Sequence, residues 1–259
     1  MLDAIYIATS GMQAEQAQID TISNNLANIN TAGYKKSRVS FEDLVYQQVN
    51  NSAASLDYEQ LAPMSGMGAS LAAITKDFSM GDLKATQNLL DVAIQGAGFF
   101  EVDLFNGEKA YTRNGSFKID SDGMLSTIDG RVLSSAIRIP SDASQLLIRP
   151  DGSMAAKVDG NEDLVELGQI DIANFVTPEN LEPLGSGLFA ATDGSGLPLY
   201  SEPGSNGTGE LIQGYIETSN VDLVEEMLSL VVAQRAYEMN SQIIRASDEI
   251  LKINNNLRS

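Results

Sequence analysis

Apolar and polar residues follow two rhythms along this chain: heptad-like spacing at both ends and short alternating runs between them. Leu2, Ile5, Thr9, Met12, Gln16, Ile19, Ser23 and Leu26 recur at spacings of three and four, which predicts a helix over residues 2–31. Gly33 reads as its terminating residue, with Lys35 and Lys36 suited to the negative end of the helix dipole. Near the C-terminus Val232, Ala236, Met239, Ile243, Ala246, Ile250, Ile253 and Leu257 keep the same spacing, the pattern of a coiled-coil seam. Ser219 followed by Asp222 reads as a capping-box-like start, and Leu223, Met227 and Leu230 form a second stripe. The upper part of this helix is therefore expected to touch more than one neighbour.

The middle has a different grammar. All seven prolines lie between Pro63 and Pro203, whereas residues 215–259 hold neither proline nor glycine. Seven Asn-Gly or Asp-Gly pairs fall between Asn106 and Gly194 and suit the positive φ of tight hairpin turns. Strands are expected in the runs 89–94, 99–104, 116–119, 145–148 and 169–173. The predicted class is α+β: a central antiparallel β domain, sandwich- or barrel-like, inserted between long terminal helices that pair as a coiled coil. The expected boundaries are an N-terminal helix at 1–33, an extended connector at 34–80, the β domain at 81–202, a return connector at 203–218 and the C-terminal helix at 219–259.

Charge narrows the function. With 35 acids against 16 bases, the net charge of −19 repels phosphate and anionic lipid, so no nucleic-acid partner and no membrane adsorption are expected. The chain has no Cys and no His, which removes thiolate chemistry, the commonest general base and the commonest transition-metal ligand. Its start, Met1-Leu2-Asp3, lacks a basic signal-peptide region, and no apolar run approaches the ~20 residues of a membrane span. The reading is a cytoplasmic protein or one exported without a cleaved signal.

Catalytic patterns are weak. Gly96-Ala97-Gly98 lacks the helix that a nucleotide loop requires and reads as a bulge or a tight approach to another backbone. Asp120-Ser121-Asp122-Gly123 begins like a calcium loop, but Arg131 stands where the bidentate Glu belongs, so it reads as a hairpin turn. No carboxylate pair stands out for glycoside hydrolysis, and no Trp is present to stack a sugar. Neither an enzyme activity, a cofactor nor a metal is expected. The informative chemistry is in the amides: Asn24 and Asn28 lie one turn apart, while Gln16, Ser23 and Gln234 fall at seam-like positions. Polar seam residues cost stability but fix register and partner number, which suits a helix that must settle among identical neighbours. The rival reading is a soluble β-domain binding module with an intramolecular coiled coil; a glycosidase is a distant third.

Three stretches resemble the bacterial flagellar rod and hook protein family, most of all its distal rod members: "SGMQAEQAQIDTISNNLANINTAGYKKSRVSFEDLVYQ", "LDVAIQGAGFFEV" with "AYTRNGSFKIDSDGML", and "GYIETSNVDLVEEMLSLVVAQRAYEMNSQIIRASDEIL". The resemblance implies a structural subunit of a helical tube, with helices lining a channel and the β domain outside. Such a tube spans the periplasm, transmits torque from motor to hook and passes later subunits through its lumen. The implied partners are further copies, neighbouring rod proteins, the hook protein, the surrounding rings and the type III export apparatus. Implied assembly residues are Asn24, Asn25, Leu26, Ala27, Asn28, Thr31 and Gly33, together with Glu217, Thr218, Ser219, Asn220, Val221, Gln234, Arg235, Ala236, Tyr237 and Asn240. Gly96 and Gly98 are implied structural positions. Length separates the chain from the larger hook protein and from the shortest rod proteins, leaving the other rod protein of similar length as the competitor.

Overall fold

A computed structural model describes residues 2–44, 47–48, 64–158 and 164–256. The chain is an α+β protein in two units, one made of Met1–Leu26, Ser37–Thr75 and Asp222–Ser259, the other of Ala27–Lys36 and Lys76–Val221.

The first unit holds helix α1 (Leu2–Ala27), helix α2 (Leu223–Asn256) and a β ribbon. In the ribbon β1 (Ser37–Asp43) pairs with the later strand Ala69–Lys76, and β2 (Gln47–Gln48) pairs antiparallel with β3 (Met64–Ser65), which makes Ala69–Lys76 β4. The expected connector thus contains paired strands; its residues 49–63 lie outside the described ones. Helix α1 stops at Ala27 rather than Thr31, because Asn28 and Thr31 hydrogen-bond to each other. The Thr31 N–H donates to the Asn28 carbonyl at 3.0 Å and its hydroxyl to the Asn28 side chain at 3.3 Å, the local competition that disfavours such residues in helices. Gly33 therefore sits beyond the helix in a turn, with φ +69°, and is not its C′ residue. Helix α2 starts at Leu223, later than expected, because Asp222 is its cap: Oδ1 accepts from Val224 N at 2.8 Å and Glu225 N at 3.0 Å. The Ser219 hydroxyl instead accepts from Val221 N at 3.3 Å.

The helices pair. The Asn25 amide donates to Glu226 Oε2 at 3.2 Å, and a Cβ on Gly11 would lie 2.9 Å from Asn240 Nδ2. The two contacts run in opposite order along the helices, so the pairing is antiparallel. Asn25 and Gly11 are as far apart in sequence as Asn240 and Glu226, a matched separation of roughly 21 Å along each axis. The faces that meet are one position away from the expected heptad seams, and of the second stripe Leu230 alone lies on the α2 line. On α1 the buried or half-buried line is Ala8, Gly11, Ala14, Gln18, Ile22 and Asn25; on α2 it is Glu226, Leu230, Ala233, Tyr237, Asn240, Ile244 and Leu251. One position is a rotation of about 100°.

The second unit is β structure. Its strands are β5 (Leu83–Ala85), β6 (Val92–Gln95), β7 (Phe100–Asp103), β8 (Lys109–Thr112), β9 (Phe117–Ile119), β10 (Leu125–Thr127), β11 (Ala143–Ile148), β12 (Ser153–Val158), β13 (Leu164–Gln169), β14 (Ile172–Asn174), β15 (Glu182–Gly185), β16 (Leu188–Ala190), β17 (Leu199–Ser201), β18 (Glu210–Gln213) and β19 (Tyr215–Glu217). They form a sheet of order β15-β16-β8-β7, a sheet β11-β12-β13 and the pairs β9–β10, β14–β17, β6–β18 and β5–β19. Hairpin turns fall at Asp122-Gly123 and Asp151-Gly152, with glycine φ of +79° and +84°. They do not fall at Asn114-Gly115 or Asp193-Gly194, whose flanking strands pair elsewhere and whose glycines lack positive φ; Asp159-Gly160 lies outside the described residues. The run 169–173 is divided between the end of β13 and the start of β14. The core joins Val92, Ile94, Phe100, Val102, Leu125 and Ile172, each at most 1% exposed. Beside it Phe78, Phe99, Phe175, Phe189 and Tyr111 pack edge to face at centroid distances of 4.8–6.2 Å.

Candidate functional site

Five segments converge in the second unit around one carboxylate. The turn after α1 places the Gly33 N–H 2.8 Å from the Glu217 carbonyl, and a Cβ on Gly33 would lie 2.7 Å from Asn114 N, so only glycine fits there. Two residues on, Lys35 turns inward and donates to Glu217 Oε1 and to the Ser79 carbonyl, both at 2.6 Å. The Gly81 N–H donates to the same carboxylate oxygen at 2.9 Å, and Arg113 Nε lies 3.1 Å from Oε2. The Arg113 terminal nitrogens donate to the Gly98 carbonyl at 2.7 Å and the Gly96 carbonyl at 2.8 Å. Gly96 and Gly98 are needed for close approach: a Cβ would lie 2.7 Å from Gly209 Cα in one case and 2.1 Å from Ile172 Cγ2 in the other.

Electrostatics make this a joint rather than a catalytic group. Burial pulls the Lys35 ammonium below the ordinary lysine range; Glu217 opposes that and the charge of Arg113 adds to it. Burial also pulls Arg113 down, against Glu217. Two cations share one carboxylate, and the carbonyls of Ser79, Gly96 and Gly98 accept further hydrogen bonds from them. Such a buried cluster adds little net stability, but losing its shared carboxylate strands both cations, so it specifies a single arrangement. Around it Thr218 donates to the Asp82 carbonyl, through N at 2.8 Å and Oγ1 at 3.0 Å. Asn220 accepts from Lys36 N at 2.8 Å and donates to the Asp77 carbonyl at 2.9 Å. Both are backbone-fixing roles.

The other candidate residues spread along the helices. Asn25 is buried: beyond its bond to Glu226 it exchanges hydrogen bonds with Ser37, donating at 3.0 Å and accepting at 2.9 Å. Asn24 and Ala27 are exposed, Leu26 and Asn28 half-buried, Val221 buried. Ile5, Met12 and Ile19 are half-buried, and Leu2 opens α1. On α2 Gln234 is exposed and Arg235 pairs with Glu238 at 2.9 Å. Ala236, Tyr237 and Asn240 are half-buried. Val232, Met239, Ile243, Ala246, Ile250 and Ile253 are exposed, Met239 by 58% and Ile253 by 60%. Leu257 lies outside the described residues. The expected stripe is therefore an apolar line that α1 leaves uncovered.

Sequence reading missed Arg113 and gave Lys35 only a helix-dipole role. The available signal was that Lys35, Arg113 and Glu217 each fall within one of the three stretches that carry the family resemblance. Elsewhere Glu101, Asp171 and Tyr200 line a cavity of 240 Å³. Burial pushes the Glu101 carboxyl up, but hydrogen bonding and the charge of Lys109 outweigh it and hold the group below the ordinary glutamate range. A general acid needs the opposite shift. Among the described residues no three carboxylates group as a metal site, and no described helix is long and apolar enough to cross a membrane.

Family models match three stretches: residues 5–35 as flagella basal body rod protein, 93–156 as flagellar hook protein FlgE/F/G D1 domain and 212–257 as flagellar basal body rod FlgEFG protein C-terminal. Each stretch contributes one member of the Lys35–Arg113–Glu217 cluster. The chain is 44% identical to the flagellar basal-body rod protein FlgG of Borreliella burgdorferi, covering 100% of this chain and 99% of the relative. It is 40% identical to FlgG of Bacillus subtilis, covering 97% of each. FlgF of Mesorhizobium japonicum is 31% identical, covering 97% of this chain and 98% of the relative. Similarity of this depth along the whole length shows that the chain belongs to the flagellar basal-body rod protein family.

Proposed function

We propose that the chain is a structural subunit of the flagellar distal rod, and not an enzyme, that polymerises with copies of itself into a helical tube. The tube transmits torque from motor to hook and provides the export channel. The terminal helices form its inner coiled-coil layer and the β domain, sandwich- or barrel-like, its outer one. The subunit reaches the periplasm through the type III export apparatus without a cleaved signal, and meets neighbouring rod proteins, the hook protein and the surrounding rings.

The observation that carries this reading is the exposed stripe Val232, Met239, Ile243, Ile250 and Ile253 beside the face of α2 that α1 covers. A helix with two adjacent apolar stripes suits packing against more than one neighbour. The matched spacing of the Asn25–Glu226 and Gly11–Asn240 contacts fits two heptads, which supports the coiled-coil part. Higher identity to the relatives named FlgG than to the one named FlgF favours the distal rod over its similar-length paralogue. The rival intramolecular reading leaves the stripe in water.

Ile243→Asp tests it. Ile243 is exposed in the single chain, so the variant folds, but assembly would desolvate an unpaired carboxylate at a cost of several kcal/mol. Electron microscopy of concentrated protein is expected to show tubes from the wild type and none from the variant. Normal tubes from the variant would sink the stripe assignment, and a wild type that stays monomeric would leave the binding-module reading.

A further inference from the structure

The hairpin between β7 and β8 ends in a hydrogen-bonded tip that presents one aromatic ring. Leu104 N donates to the Glu108 carbonyl at 2.8 Å, Gly107 N to the Leu104 carbonyl at 2.9 Å, and Asn106 Nδ2 to Glu108 Oε2 at 2.7 Å. On that tip Phe105 is 84% exposed. Single exposed apolar residues are ordinary. What distinguishes this one is a cavity at the other end of the same sheet.

The cavity measures 240 Å³ and is lined by Tyr34, Lys76, Pro183, Gly187, Leu188 and Phe189, among others. An apolar cavity of about 150 Å³ accepts benzene, so the volume suffices for a benzyl side chain. At its rim the Lys76 ammonium donates to the Lys35 carbonyl at 3.0 Å and lies 4.4 Å from the centre of the Tyr34 ring. Among the described residues it has no carboxylate partner. The strand register fixes the geometry. Asp103 pairs with Lys109 beside the Phe105 tip, whereas Thr112 pairs with Leu188 at the cavity. Knob and cavity thus stand at opposite ends of β8, and a chain cannot fill its own cavity.

We propose that Phe105 of one copy seats in this cavity of the next, with Glu108 against Lys76. The contact is charge-complementary as well as apolar, which steers and orients encounter. Two different patches meet in it, so it is heterologous and propagates head to tail, as a helical array where the rotation does not close a ring. The inference rests on the polymer reading above and adds a contact between β domains to it.

The natural chain has no Cys, so engineered thiols report cleanly. Asn106→Cys, which keeps the Phe105 knob, and Ser186→Cys, both at exposed positions, are mixed in equal amounts, assembled and mildly oxidised. On a non-reducing gel the mixture is expected to give at least about five times the covalent dimer of either variant alone, which a contact between unlike patches requires. A wild-type protein that never polymerises would overturn the assembly reading and this contact together. Polymers without excess cross-linked dimer would overturn the contact alone. In parallel, Phe105→Ser is expected to leave the monomer folded and raise the critical concentration about tenfold; an unchanged critical concentration counts against the proposal.

Discussion

Lys35 and Glu217 meet at 2.6 Å with 0% and 1% of their side chains exposed, joining the segment that leaves α1 to the strand that leads towards α2. The pair ties both segments together within the β unit. Because Arg113 shares the carboxylate, the members are not equivalent. Removing Glu217 strands two cations, whereas removing Lys35 leaves an ion pair.

Glu217→Ala is therefore expected to destabilise the β unit by about 3–5 kcal/mol, the cost of leaving buried charge uncompensated. Lys35→Met should cost clearly less. Urea unfolding followed by tyrosine fluorescence checks the order. Equal losses, or a larger loss for Lys35→Met, would show that Arg113 does not carry the carboxylate.

The division of the chain was legible because proline and glycine mark it without ambiguity: residues 215–259 can propagate a helix and the Asp-Gly pairs can turn hairpins. The face of each helix was harder. Tyr237 and Ala236, or Ile244 and Ile243, are adjacent and similarly apolar, so periodicity reports that two stripes exist but not which one α1 covers. The joint was less legible still. Lys35 looked like a helix-end cation, and Arg113 stood in an Asn-Gly hairpin flank. Their acceptors are backbone carbonyls of Ser79, Gly96 and Gly98, which no side-chain pattern announces.

Gly98→Ala tests the close approach. The added Cβ would lie 2.1 Å from Ile172 Cγ2 at φ +132°, so overpacking and backbone strain add. A loss of about 2–5 kcal/mol is expected from those two causes together. Gly107→Ala, at φ +83° with nothing within 4 Å, serves as the control and should cost only about 1 kcal/mol. Thermal melts that rank the two variants equally would refute the packing argument.

Glu101 predicts a pH dependence. Its carboxyl is held below the ordinary range by Lys109 despite burial, so its contribution to stability is full above the unfolded glutamate pKa of about 4.3 and lost as pH falls through the lower folded value. Glu101→Gln should therefore be less stable than wild type at pH 7, and the difference should shrink below pH 4. Urea midpoints between pH 3 and 7 decide it. A difference that stays constant over that range would mean that ionisation of Glu101 contributes nothing.

The neighbouring asparagines Asn25 and Asn24 are expected to separate folding from assembly. Asn25 is buried and holds both backbone groups of Ser37 and the Glu226 carboxylate. Asn25→Leu leaves those groups unpaired, so helical signal in the isolated chain should melt earlier, with a loss of about 1–3 kcal/mol. Asn24, one position round, is exposed, and leucine has the higher helix propensity. Asn24→Leu should leave the monomer at least as helical but remove a polar group that selects one register among identical neighbours, giving irregular or wrongly sized polymers. Circular dichroism beside electron microscopy reads both outcomes. If Asn24→Leu builds regular tubes of unchanged diameter, the exposed amide has no part in register, and the polar chemistry of this helix serves the fold through Asn25 alone.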